Sequence, residues 1–441
     1  MSMAGGGASG GSADGSAAVA PFAALLAARR DQPVALLHSG GAGATWLCTD
    51  PVATLTLPAG ATAGAFAQLD AFLRQHAAQR TVGWLGYDLG LDVEAWPQRL
   101  ADDFPVPVLH VAAYATVREF APARAANAPS VTAASSLHAH LSQRAYERRV
   151  AAVVEHIRAG DIFQANLTQP FTATWHGDPR ALFWRLCASS PAPFAAYVED
   201  GQGTAVLSSS PEEFLWRSGD TVRTRPIKGT RPRGHDQASD AQLLRELVHS
   251  DKDQAELAMI VDLLRNDLGK VAQTGSVQVG PFPEHASFAH VHHLFATVLA
   301  ELRPGTSHAE LLRATFPGGS ITGCPKLRCL EILEQLEVAR RGVYTGAIGW
   351  FGPGDALHLN IAIRTLVHRD GRLRGNAGGG VTALSDPHAE WRETLAKMAG
   401  LEQALQCKAT FPNDARCGDA GDQDLGNSAR KGNDDAPGAN A

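Results

Sequence analysis

Residues 146–171 read "YERRVAAVVEHIRAGDIFQANLTQPF", and the spacing of their apolar residues changes partway along. Val150, Val153, Val154 and Ile157 recur at helical spacing, and Gly160 closes that helix. From Ile162 the pattern alternates, with Gln164, Asn166 and Thr168 on one face of a strand. Further strands are expected at "AVLSSSPEEFLW" (205–216) and "HLNIAIRTLV" (358–367). Residues 253–272 predict a helix with Leu257, Ile260, Val261, Leu264 and Leu268 on its buried face. Two more helices are expected at 324–337, with Pro325 near the first turn, and after Asp386, an N-cap followed by Pro387 at the first helical position. There is no regular strand–helix–strand alternation. The expected class is α+β, a sandwich of large, mostly antiparallel sheets flanked by helices.

Composition sets outer bounds. The 441 residues carry a formal charge of -6, with 44% hydrophobic and 19% charged residues. That balance predicts a globular protein without a nucleic-acid partner. No apolar run reaches the roughly 20 residues that span a bilayer, and the N-terminus lacks the features of a signal peptide. The six cysteines show no zinc spacing, so reduced thiols and a cytoplasmic location are expected. Residues 1–20 and 407–441 read as disordered tails. Between them lie an N-terminal region (21–120), a linker or loop (121–141) and a main domain (142–406).

Carboxylates recur in pairs. Asp253 and Glu256 are three apart on one expected helix, Glu390 and Glu393 on another, so each pair shares a helix face. Two such faces in opposition would suit Mg²⁺, which takes one or two carboxylates plus waters; taken alone, each pair reads first as a solvated face making surface ion pairs. Lys397, four residues after Glu393, fits a helix ion pair. "FPGGSITGCPK" (316–326) sets glycines and hydroxyls before a helix N-terminus, a natural anion site. "NAGGGV" (376–381) lets backbone approach a ligand closely. Arg364 could fork onto a carboxylate. Neither a dinucleotide nor a P-loop fingerprint is present in its required context. Residues 223–234, "RTRPIKGTRPRG", hold four arginines and a single lysine. In a mildly acidic chain such a cluster suggests a site for one small anion.

Over 142–406 the chain resembles the chorismate-utilising enzymes. The likeness is carried in order by "GDIFQANLTQ", "SSSPEEFL", "RPIKGTRPRG", "ELAMIVDLLRNDLG", "VHHLFATV", "FPGGSITGCPK", "YTGAIGWF", "IAIRTL" and "NAGGGVTALSDPHAEWRETLAKM". The resemblance implies chorismate as substrate and Mg²⁺ as cofactor. Glu256 and Glu393 match its metal ligands, with Asp253 and Glu390 as the second carboxylates. Glu212 matches the general acid. Arg364, Tyr344, Gly378, Gly379 and Gly380 match groups that hold the enolpyruvyl carboxylate. Ser320, Thr322, Thr230 and Lys397 match further substrate positions, and His293 a histidine near the ring, with His292 facing away. Anthranilate-forming members carry alanine at position 228, and water-adding members a lysine where this chain has Gln164. Gln164 with Lys228 therefore implies amination of chorismate at C4, for 4-aminobenzoate and folate biosynthesis, with Lys228 as a covalent nucleophile. Arg225, Arg231 and Arg233 are candidates to keep that lysine neutral, or else pair with surface acids. Glu213, next to Glu212 on an expected strand, should point to the surface. No cysteine lies in a glutaminase nucleophile elbow, so the resemblance implies a separate glutamine amidotransferase subunit that supplies ammonia. "LLHSGG" (36–41) and "GWLGYDLG" (83–90) resemble the family's N-terminal motifs. The rival readings are an anthranilate-forming enzyme and a non-catalytic chorismate-binding protein.

Overall fold

The computed structural model describes residues 32–40, 43–121, 131, 133–134, 136–288 and 291–413. The expected tail at 1–20 and that at 407–441 beyond residue 413 lie outside these residues. So does much of the expected linker.

Among the described residues, eighteen strands form one hydrogen-bonded sheet, and three more form a small second sheet. Pairing is antiparallel except where Ala409–Thr410 runs parallel to Leu137–Ala139. That pair corrects two boundaries: one strand falls inside the expected linker, its partner inside the expected C-terminal tail. The N-terminal region shares the large sheet with the main domain. Val34–His38 pairs with Phe194–Glu199, and Arg80–Leu85 pairs with Ala347–Gly352.

The opening stretch folds as its periods predict. Ser142 caps the Gln143–Arg158 helix through its hydroxyl, and Gly160 takes a left-handed φ of 81° just past the end. The Gln164–Thr174 strand follows. Its two faces differ, yet both are covered. Ala165 and Leu167 pack with Val150, Val153, Ile332, Leu333 and Trp391 from three helices. Gln164, Asn166 and Thr168 face the other way and are also buried. Along one edge this strand pairs with Arg372–Val381, which brings Gly380 opposite Asn166 and Gly378 opposite Thr168.

Two expected strands are each broken in the middle. The first divides at Pro211 into Thr204–Ser210 and Glu213–Ser218. Proline lacks the N–H that a ladder needs, so the pairing stops there. The second divides into Ala356–Ile361 and Thr365–Arg369, and Arg364 between them has φ 50°. The breaks lie side by side. Ser209 N donates to Arg364 O at 3.1 Å, Ile361 N to Glu212 O at 3.1 Å, and Ser210 Oγ to Ile361 O at 2.6 Å. Glu212 and Arg364 are thus carried on paired irregularities, where a side chain is re-aimed out of the pleat.

Candidate active site

The small sheet delivers Lys228. Its strand, Ile227–Pro232, pairs with Val291–Phe295 and bulges at Gly229, whose φ is 75°. The bulge leaves the Lys228 ammonium 3.4 Å from Ser320 O. The basic cluster divides by partner. Arg223 forks onto Glu213, Arg225 lies over the Phe295 ring, Arg231 pairs with Asp253 at 3.1 Å, and Arg233 forks onto Asp240. The arginines expected to keep Lys228 neutral are thus engaged elsewhere. Burial lowers the Lys228 pKa, against the pull of Glu256 and Glu212, and Lys397 adds to the lowering.

Glycine makes the floor. A Cβ on Gly380 would stand 3.2 Å from both Gln164 Nε2 and Lys228 Nζ. The lysine and the glutamine therefore converge above one bare stretch of backbone. Gln164 is fully buried, and neither its Oε1 nor its Nε2 has a hydrogen-bond partner among the described residues. A buried amide left without partners costs free energy unless a ligand or water completes it. A Cβ on the next residue, Gly379, would meet Glu390 Oε2 at 3.0 Å, Glu393 Oε1 at 3.5 Å and Lys397 Nζ at 3.6 Å. The strand alternates, so it floors the nucleophile on one side and the carboxylates on the other.

Glu212 is buried and accepts a 2.6 Å hydrogen bond from Ser320 Oγ. Burial raises its pKa, while the Ser320 bond and the Lys228 charge oppose the rise. A carboxyl whose pKa is raised by burial beside an amine whose pKa is lowered by burial is the arrangement that favours acid-assisted nucleophilic attack. Glu213 corrects the sequence expectation. It does face away from Glu212, but that side is not solvent: Arg223 and His358 cover it, and it is 3% exposed.

Further residues complete the surround. His293 is buried, bonded to Thr230 Oγ1 at 2.9 Å, and its pKa falls to about 4 by burial and the nearby Arg364 charge, so the ring is neutral. His292 faces away, onto Ser287 and Asp240. Arg364 has no carboxylate partner among the described residues, and burial lowers its pKa. The backbone there is left-handed, and a guanidinium without a carboxylate partner is one that an anionic ligand would satisfy. Tyr344 is buried nearby in sequence, at the turn before Thr345. Thr322 is less available: its hydroxyl donates to Gly318 O at 2.9 Å and closes its own turn.

The carboxylates come from two helices, Asp251–Gly269 and Pro387–Leu405. Glu256 and Glu390 have raised pKa values, burial being the main cause, and each also feels the Glu393 charge. Burial pushes Glu393 up too, but the Lys397 ammonium 2.7 Å away brings it below the ordinary range. Ser385 donates to Glu390 Oε1 at 2.6 Å, while the buried Glu390 Oε2 has no partner among the described residues. Asp253 is held by Arg231. Lys397 also donates to Gly378 O at 2.8 Å. Among the described residues no three His, Cys, Asp or Glu side chains gather closely enough to hold an ion unaided. One or two carboxylates suffice for Mg²⁺ when waters and substrate oxygens fill the rest. Mutually repelling carboxylates with an orphaned oxygen fit such a cation. Ser385 and Lys252, which lies 3.8 Å from Glu256, belong to this surround and were not singled out in the sequence. No helix among the described residues is long and apolar enough to cross a membrane.

Comparison with known proteins gives the family. Residues 32–403 match the family described as chorismate binding enzyme. An anthranilate synthase component I-like protein of Synechocystis sp. is 39% identical over 351 residues, covering 74% of this chain and 72% of the relative. Aminodeoxychorismate synthase component 1 of Klebsiella aerogenes is 40% identical over 348 residues, covering 74% and 77%. Among solved structures, anthranilate synthase component I of Streptococcus pneumoniae superposes with a TM-score of 0.71 at 25% identity, covering 82% of this chain and 92% of that one. With the family's match spanning nearly every described residue, this chain belongs to the chorismate binding enzymes.

Proposed function

We propose that the chain catalyses the component 1 reaction of an aminodeoxychorismate synthase, converting chorismate and ammonia to 4-amino-4-deoxychorismate. The observation that carries this reading is Lys228 Nζ, held with the Gln164 amide above Gly380 and flanked by the buried Glu212. An enzyme in which ammonia attacks ring carbon C2 directly has no use for an amine at that point.

The neutral Lys228 amine attacks C2 of chorismate, the two conjugated ring double bonds shift, and the C4 hydroxyl leaves as water with the proton from Glu212. Ammonia then adds at C4, the double bonds return, the C2–nitrogen bond breaks to release Lys228 as a neutral amine, and the new C4 ammonium gives a proton back to Glu212. Two displacements give C4 its new substituent with the configuration retained. Arg364 and Tyr344 hold the enolpyruvyl carboxylate over the glycine strand. Glu256 and Glu393 would hold Mg²⁺, with Glu390 and Asp253 behind them, and the ion would neutralise the ring carboxylate. A glutamine amidotransferase subunit supplies the ammonia in the cell, and the product serves 4-aminobenzoate and folate biosynthesis.

The test supplies the purified chain with chorismate, ammonium and Mg²⁺ and identifies the product by mass. The aminated, non-aromatic product is expected. It should vanish when a chelator removes Mg²⁺ or when glutamine replaces ammonium. Fluorescent anthranilate as the sole product would overturn the reading in favour of the rival activity.

A further inference from the structure

Arg341 and Glu337 take no part in the chemistry above, yet they are 3% and 7% exposed. They stand just beyond the Lys326–Leu336 helix and form a fork, with Arg341 Nε to Glu337 Oε2 at 3.0 Å and Nη2 to Oε1 at 2.7 Å. Arg341 Nη1 also donates to Ile321 O at 2.9 Å and to Thr345 Oγ1 at 3.3 Å, and Nη2 donates to Asn166 O at 2.6 Å. All the N–H donors of the guanidinium are then in use. Glu337 Oε1 accepts from Thr168 N at 3.0 Å and Thr168 Oγ1 at 2.9 Å. The Tyr87 ring, from the motif "GWLGYDLG", lies 4.5 Å from Arg341 Cζ and covers the guanidinium.

The partners are the point. Asn166 and Thr168 share one face of the strand with Gln164, whose amide stands beside Lys228. Ile321 follows Ser320, the donor to Glu212. Thr345 follows Tyr344 and holds a left-handed φ of 60°. Three segments far apart in sequence thus hang on one ion pair. A buried pair is a poor source of net stability, because desolvation offsets the attraction, and fixing one arrangement is the better-attested use.

We propose that Glu337–Arg341, covered by Tyr87, is a positioning unit that sets the Gln164 strand, the Ser320 turn and the Tyr344 turn at fixed mutual distances. The proposal rests on reading the site as the chorismate-aminating one. Neither residue touches substrate; both act through the backbone that carries the reacting groups. Arg364 and the metal-facing carboxylates hang on other elements, so of the groups that capture substrate only Tyr344 should be disturbed when the unit fails.

The test is Arg341→Lys, with Glu337→Gln as the milder second variant. Lysine keeps the charge but offers three donors from one point and loses the fork. Both are assayed at a temperature where circular dichroism shows them folded. Arg341→Lys should lower kcat by about 100-fold, since small misplacements of reacting groups have that effect. KM for chorismate should rise by no more than about tenfold, through the Tyr344 turn, and so by less than kcat falls. Hydrogen exchange, which needs no substrate, should quicken together around 164–168, 320–323 and 344–346. A folded Arg341→Lys enzyme with wild-type kcat would overturn the proposal. So would faster exchange confined to 337–341. If the wild type itself fails to aminate chorismate, the functional reading falls, and the exchange pattern alone decides the positioning role.

Discussion

Glu212 and Glu213 are neighbours, both are buried, and they have opposite fates. Glu213 lies between Arg223, which gives it two hydrogen bonds at 2.8 and 2.9 Å, and His358 at 2.9 Å. Burial works against its charge, yet these partners hold its carboxyl at about 2. Glu212 receives one hydroxyl bond and the field of Lys228, and burial prevails, so its pKa rises. One face of this short segment satisfies its charge and gains stability. The other leaves its charge under-satisfied, which raises its pKa and favours a proton that it can donate. The same distinction separates the arginines of 223–234, which are engaged with acids or a ring, from the single lysine that reaches the site.

The largest expected effect tests that last contrast. Lys228→Arg keeps the charge but is protonated at any useful pH and is a poor nucleophile. Amination should fall by more than about 1,000-fold, the scale lost with an essential nucleophile. Wild-type enzyme given chorismate and Mg²⁺ without ammonia should accumulate a covalent adduct, and peptide mapping should find it on Lys228. Near-normal turnover by Lys228→Arg, with no adduct in the wild type, would make the lysine a mere loop cation.

The two glutamates should then separate cleanly. Glu212→Gln removes the proton donor and should lower kcat by about 100-fold or more. It should leave stability unchanged or raised at neutral pH. The sign follows from the raised pKa: the folded state holds that proton more tightly than the unfolded one, so stability falls as pH rises through the folded value. Glu213→Gln should do the reverse. Its folded pKa of about 2 lies below the ordinary 4.5, so its stabilisation is present above 4.5 and is lost as pH falls towards 2. Removing it should cost about 3 kcal/mol at neutral pH, with kcat little changed. Chemical denaturation at neutral and acid pH reads both signs. If Glu213→Gln is as inactive as Glu212→Gln, the division between a structural and a chemical face is wrong.

Much of this was legible in the sequence, for definite reasons. Helical spacing alone paired Asp253 with Glu256 and Glu390 with Glu393, because three residues apart is one face at any depth. The cap at Asp386 was also local, and its side chain does accept from Ala389 N. Lys228 needed the family resemblance, since nothing in "PIKGT" distinguishes a nucleophile from a solvated lysine. The side-by-side breaks at Pro211 and Arg364 escaped, although Pro211 was a visible warning. Arg364 has no such signal, because its left-handed turn is imposed by neighbouring strands. Glu337 and Arg341 escaped for a deeper reason: a pair four residues apart reads as an ordinary ion pair, and the partners that tie it to the site are carbonyls at 166 and 321, which leave no mark in a sequence. Glu213 was misread because the alternation rule predicts a direction, and only tertiary packing decides whether water lies that way.

The smallest expected effect is the most discriminating. Ser320 meets the site twice: its hydroxyl donates to Glu212 Oε1 at 2.6 Å, and its carbonyl lies 3.4 Å from Lys228 Nζ. Ser320→Ala removes the first contact and keeps the second, which is backbone. The hydroxyl bond favours the ionised carboxyl, so its loss must raise the Glu212 pKa further. The limb of the kcat/KM profile that Glu212 governs should therefore move to higher pH. The limb that Lys228 governs should stay where it is. Activity at the optimum should fall by about tenfold, the scale of one hydrogen bond to a charged group. A shift of both limbs would mean that the turn had moved as a whole. A shift to lower pH would mean that Ser320 accepts from a protonated Glu212 rather than donating to it, and the proton would then have to leave Glu212 by another path.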